Sequence, residues 1–245
     1  MGCVIYAIEI QRAGLALLGS GIDALNHETT RLRAWLESAD EAAWRRPTRC
    51  AGWDVHDVVA HLASGELYNQ ACLRDDITSL GEWENDEAYN VGHVRLRRSS
   101  SHAEVLAEWV ERHTEVHRAW AAMDPAEPLT TFLGPYAVGL QAWHIASEYA
   151  THSDDMGVPV PVAEAADRFA WRFAFSRYAV EERENGIGVT VPDDRAVVVR
   201  DAGASVVLTP EQFVAGVSAR LPVEATTTDP AARGLLRRMA VLVGA

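Results

Sequence analysis

Residues 143–155 read WHIASEYATHSDD. With a period of 3.6 residues this is one helix, and His144, Glu148, His152 and Asp155, spaced by four, four and three, fall along one line of it. The rest of the stretch is Trp, Ile, Ala and Tyr with Ser147, Thr151, Ser153 and Asp154, and holds neither Lys nor Arg to neutralise the line. Burying such a stripe among Leu140, Ile145, Ala146 and Ala150 is costly unless its charges are paired or hold a cation. The plain alternative is a solvated polar face, since most Glu/His pairs four apart on a helix do nothing special.

Working outward, the helix is expected over Val138 to Met156, with Gly157 and Pro159 ending it. Upstream, IDALNHETTRLRAWLESA (22–39) repeats Ile22, Leu25, Leu32, Trp35 and Leu36 at helical spacing. Asp54 is placed to cap a second helix from Val55 to about Arg74, with Trp53 available to staple its start. A third helix starts near Ser101, with Leu106, Trp109, Val110 and Trp120 on one face. Residues 75–99 and the Pro/Gly-rich 125–135 read as irregular connections. Four amphipathic helices joined this way predict a four-helix bundle. After GVPVP (157–161) the pattern changes to one helix over 163–184, then GVTV, RAVVVR and SVVL as short antiparallel strands. Thr209–Gln212 forms a capping box, and Asp229-Pro230 opens a last helix. The expected fold is therefore mainly α, a helical bundle followed by a small α+β domain.

Composition removes several function classes. A net charge of -13 across 245 residues offers no basic footprint for nucleic acid. All 22 basic residues are Arg, which excludes a Schiff-base lysine, a lysine base and a P-loop lysine. Cys3, Cys50 and Cys72 are odd in number and form no C-x-x-C, so neither a disulfide framework nor a cysteine zinc site is expected, and a cytoplasmic setting fits. The N-terminal run is broken by Glu9, Gln11 and Arg12, and no signal peptide or membrane span is read there. GSGIDA (19–24) superficially matches G-x-G-x-x-A, but no β-α-β unit follows it, which argues against a dinucleotide site.

On the second helix, His61 flanks the apolar stripe Val55, Val58, Val59 and Leu62. Together with Glu148 and His152 it makes a two-histidine, one-carboxylate set, which suits zinc or nickel and leaves coordination positions open. His113 and His117 also point inward with Val110 and Trp120, and are read as pocket-lining or core histidines rather than ligands. His144 and Asp155 are candidates to orient the ligands. Cys50 and Cys72 are read as packing residues.

PTRCAGWDVHDVVAHLA (47–63), followed by E-x-x-x-H-x-x-D at Glu148, His152 and Asp155, resembles the N-terminal domain of the mycothiol-dependent maleylpyruvate isomerase family, within the DinB-like metalloenzyme superfamily, over roughly residues 22–157. The resemblance implies a DinB-like metal-binding four-helix bundle at 21–157, a small α+β C-terminal domain at 158–245, and an N-terminal extension, 1–20, that the family does not need. It implies a divalent metal, zinc first and nickel second, on His61, Glu148 and His152. VSARLP is similar to a family segment whose Arg binds the thiol, which makes Arg220 the candidate, although Ala219 stands where the family has Gly; a surface Arg closing a helix is the alternative. The implied activity is attack of a low-molecular-weight thiol, mycothiol, on an electrophilic small molecule, giving S-transfer or cis-trans isomerisation in a monomer or homodimer. A metal-dependent hydrolase and a non-catalytic ligand-binding bundle are the competing readings, and no catalytic residue beyond the metal set is assigned.

Overall fold

The computed structural model of the chain describes residues 2–183 and 185–242, and the side chain of Cys3 lies outside the described set. Residues 11–160 form one compact unit, and residues 2–10 with 161–242 form another.

The chain opens with α1 (Gly2–Leu18), which precedes the helix read as first in the sequence. Then come α2 (Ile22–Ser38), the short α3 (Glu41–Trp44), α4 (Val55–Leu73), α5 (Asp86–Arg97) and α6 (His102–Ala121). A hairpin of β1 (Pro128–Thr131) and β2 (Gly134–Ala137) leads into α7 (Val138–Met156). The four long helices α2, α4, α6 and α7 pack on one another. Leu25, Leu32, Leu36, Val58, Val59, Leu62, Val105, Trp109, Val116, Leu140 and Ala146 are all buried on these helices. That burial, rather than intrinsic propensity, is what holds helices of this length together.

The helices expected from periodicity are all present with ends within one or two residues. Asp54 caps α4 by accepting from the Asp57 N–H at 2.9 Å. Three expectations are corrected. Residues 86–97, read as irregular, form α5, capped by Asn85. The Pro/Gly-rich connection contains the β1–β2 hairpin. On α6 the buried stripe is Val105, Trp109, Val116 and Trp120, while Leu106 and Val110 are only partly buried, because the histidines His113 and His117 occupy part of the inward face.

The second unit holds α8 (Val162–Glu182), the antiparallel sheet β3 (Gly188–Asp193), β4 (Ala196–Arg200) and β5 (Ser205–Leu208) in that order, and α9 (Pro210–Val217), α10 (Val223–Thr226) and α11 (Pro230–Arg238). Val197, Val199, Leu208, Phe213, Val217, Leu235 and Leu236 form its core. Thr209 and Gln212 make the expected capping box. Ala219 has a φ of 55°, a left-handed conformation that costs an L-residue roughly 1–2 kcal/mol and that Gly adopts freely. Its local backbone therefore favours the Gly that the family resemblance leads one to expect.

Candidate metal centre

α4 carries His61, and α7 carries Glu148 and His152 one turn apart. His61 and His152 are each 2% exposed, and the Glu148 side chain is 23% exposed, so the set is walled by the bundle and open at the carboxylate. One ligand atom from each of the three lies within 4.8 Å of the others. His61 Nε2 stands 2.9 Å from Glu148 Oε1, yet neither ring nitrogen of His61 makes a hydrogen bond of acceptable angle. A buried imidazole left this way costs free energy that a coordinated cation recovers. The rings of His61 and His152 meet edge to face at 5.0 Å, and Trp53 lies 5.3 Å from His61 on another side.

Electrostatics prepares the same set. Burial pushes the Glu148 carboxyl up, but His61 and then His152 and His144 outweigh it and hold the group below the usual carboxylate range. Burial pushes the His152 imidazole down, and Asp155 opposes this only in part. A deprotonated carboxylate beside a neutral imidazole is the protonation state that a divalent cation requires.

Behind His152, its Nδ1 faces Asp155 Oδ2 at 3.2 Å, and the Asp155 side chain is fully enclosed. Residues 46–55 deliver a third group to this place. Thr48 N–H donates to the Trp53 carbonyl at 3.0 Å, Val55 N–H donates to the Arg46 carbonyl at 3.2 Å, and Gly52 takes a φ of 79° at the tip. Arg49 N–H donates to the Asp155 carbonyl at 3.2 Å, which ties this loop to the end of α7. Cys50 Sγ thereby lies 3.3 Å from Asp155 Oδ2 and 3.6 Å from His152 Nδ1. Nothing in the spacing of Cys50 suggested this, since the loop closure that carries it is not a periodic signal.

The remaining candidates lie elsewhere. His144 Nε2 meets the Tyr136 hydroxyl of β2 at 3.0 Å. His117 Nε2 meets Glu66 Oε1 at 3.0 Å, and Glu66, fully buried, also accepts from the Tyr149 hydroxyl at 2.7 Å and from Asn69 Nδ2 at 3.2 Å. Trp109 Nε1 donates to Tyr149 in turn, at 2.7 Å. Burial pushes the Glu66 carboxyl up, but His117 and these donors keep it below the usual range. Sequence reading passed over Glu66 because it sits on an apolar helix and its partners His117 and Tyr149 come from α6 and α7. Arg220 belongs to the second unit, in the turn after α9, where its guanidinium donates to the Ser218 carbonyl at 3.3 Å.

Residues 25–157 match the family model described as the mycothiol maleylpyruvate isomerase N-terminal domain. The chain belongs to this family. The matched span runs from within α2 to the Gly157 that ends α7; it contains His61, Glu148 and His152 and stops short of Arg220. Two crystal structures, one of the mycothiol-dependent maleylpyruvate isomerase and one of a histidine-to-alanine mutant of it, each superpose with a TM-score of 0.51 at 14% identity. Each alignment covers 64% of this chain and 68% of that one, and shows a shared fold. No curated protein matches the sequence. Among the described residues, no helix is long and apolar enough to cross a membrane.

Proposed function

We propose that the protein is a metal-dependent enzyme in which His61, Glu148 and His152 hold a divalent cation, zinc before nickel, beside which mycothiol attacks an electrophilic small molecule. One observation carries the reading: the buried ring of His61 stands with Nε2 2.9 Å from Glu148 Oε1, off the angle of a good hydrogen bond, in a set with Glu148 and His152 whose ligand atoms all lie within 4.8 Å of one another. The donor set fits zinc, which takes imidazole and carboxylate ligands and keeps a position open for chemistry. When bound, such an ion stabilises a coordinated thiol as its thiolate at neutral pH.

The chain's own residues do the rest. Asp155 accepts the Nδ1–H of His152, which orients the ring and leaves Nε2 as the ligating nitrogen. Trp53 and the bundle wall keep water from the His61 side. A thiolate adding to one carbon of an activated cis alkene leaves a single bond that rotates, and expulsion of the same sulfur completes a cis-trans isomerisation. If the sulfur stays, the outcome is S-transfer. Membership of a family named for mycothiol and maleylpyruvate isomerase favours the isomerisation. Arg220 is the proposed thiol contact. The reading sets the reaction in the reducing cytoplasm, in keeping with Cys50 and Cys72 standing outside any disulfide, and gives it to a monomer or homodimer.

The test joins two measurements on purified protein. Zinc content is expected near one ion per wild-type chain, with affinity lowered at least ~10-fold in His152→Ala. Conversion of maleylpyruvate by the zinc-loaded protein is expected only with mycothiol present. Undiminished zinc in the variant rejects the ligand set, and thiol-independent turnover of small substrates moves the reading to a hydrolase.

A further inference from the structure

Cys50, His152 and Asp155 form a second donor set that shares one residue with the first. Their mutual distances are 3.6 Å from Sγ to Nδ1, 3.3 Å from Sγ to Oδ2 and 3.2 Å from Nδ1 to Oδ2. A tetrahedral zinc ion, about 2.3 Å from sulfur and about 2.0 Å from nitrogen and oxygen, separates such donors by roughly 3.3–3.6 Å, and a larger thiophilic ion asks for roughly a few tenths of an ångström more. The three edges therefore already lie close to those of one face of a coordination tetrahedron. All three residues are buried, and each is held by something other than the others: Cys50 by the loop closure between Thr48 and Trp53, and His152 and Asp155 by α7.

We propose that Cys50, His152 and Asp155 are an alternative site for a thiophilic divalent cation, and that filling it excludes the ion on His61, Glu148 and His152. Exclusion follows from the imidazole. A neutral ring has one lone pair, so coordination through Nδ1 places the proton on Nε2 and withdraws His152 from the first set. Binding at the alternative site releases the thiol proton of Cys50 and moves the Nδ1 proton of His152 to Nε2, with no change of oxidation state. Soft sulfur ligation selects the occupant: cadmium and similar ions are preferred here over ions that favour oxygen. The first set, with no sulfur, lacks that preference. The exclusion rests on the reading of the first set, whereas the sulfur site stands on its own geometry.

The experiment titrates the metal-free full chain, as Cys3→Ser/Cys72→Ser, with cadmium chloride and follows the ultraviolet sulfur-to-cadmium charge-transfer band, with circular dichroism to confirm folding. The band is expected to saturate at one cadmium per chain, to vanish when Cys50→Ser or His152→Ala is added, and to survive His61→Ala. Zinc supplied in advance is expected to leave the protein as the band grows, with Cys50→Ser retaining it. No band, or a band indifferent to His152→Ala, overturns the site. Zinc and sulfur-bound cadmium held together overturn the exclusion. A band that survives His61→Ala while zinc binding is also unchanged in that variant supports the sulfur site and rejects the first set instead.

Discussion

His113 and His117 lie one turn apart on α6 and differ in what they meet. His117 reaches the buried carboxylate of Glu66, whereas the His113 ring lies tilted against Trp109, 4.6 Å between centroids, with its Nε2 buried and without a hydrogen bond. Burial, and then the proximity of His117, pushes the His113 imidazole down to about 4 from an ordinary value of 6.5. The unfolded chain takes up this proton near 6.5 and the folded chain only near 4, so the unfolded state binds more protons in that window. The stability conferred by a neutral His113 is thus complete above pH 6.5 and lost as the pH falls towards 4, by an upper limit of about 3–4 kcal/mol. Urea unfolding between pH 7 and pH 4 should show a shallower decline for His113→Leu than for wild type, and parallel curves would count against the assignment. Sequence periodicity placed both histidines on the inner face, as the structure does. It could not pair one with Glu66, because that contact depends on how α4 is rotated against α6.

The N-terminal end of α2 rests on α7 through Gly21. Its N–H donates to the Gly139 carbonyl at 3.1 Å, and a Cβ at this position would stand 2.3 Å from the backbone nitrogen of Trp143. Backbone cannot move aside as a flexible side chain can, so Gly21→Ala is expected to cost about 1–3 kcal/mol through overpacking. Thermal melting against Gly234→Ala, whose Cβ would meet only the end of Arg238 at 3.7 Å, is the check. Equal melting points for the two variants would remove the close-approach role. GSGIDA thus holds a glycine for helix packing, in keeping with the absence of a β-α-β context. Helices α2, α4, α6 and α7 were legible because each carries its own apolar period. α5 was not, since its buried face is built from Tyr89, Asn90, His93, Val94 and Arg97, of which only Tyr89 and Val94 are apolar, and the Arg97 guanidinium meets the Glu108 carboxylate 2.7 Å away on α6.

A cation held by His61 of α4 and by Glu148 and His152 of α7 would add a coordinate link between two helices already joined by hydrogen bonds from Tyr149 to Glu66 and from Gln141 to Asn69. Binding to the folded state alone stabilises it by RT ln(1 + [L]/Kd), about 2.7 kcal/mol at a hundredfold excess over Kd. Zinc is therefore expected to raise the melting temperature of the chelated protein, with little gain in His61→Ala; an identical rise in both would place the ion elsewhere. The helical class, the helix ends with their caps, the three strands after residue 188 and the stripe His144–Asp155 follow from local chemistry, because periodicity and capping are properties of neighbours in the chain. The face of α4 that meets α7, the approach of His61 to Glu148, the arrival of Cys50 beside His152 and Asp155, and the burial of Glu66 were decided only by tertiary structure. Each of these depends on the rotation and closure of segments tens of residues apart, which no local pattern encodes.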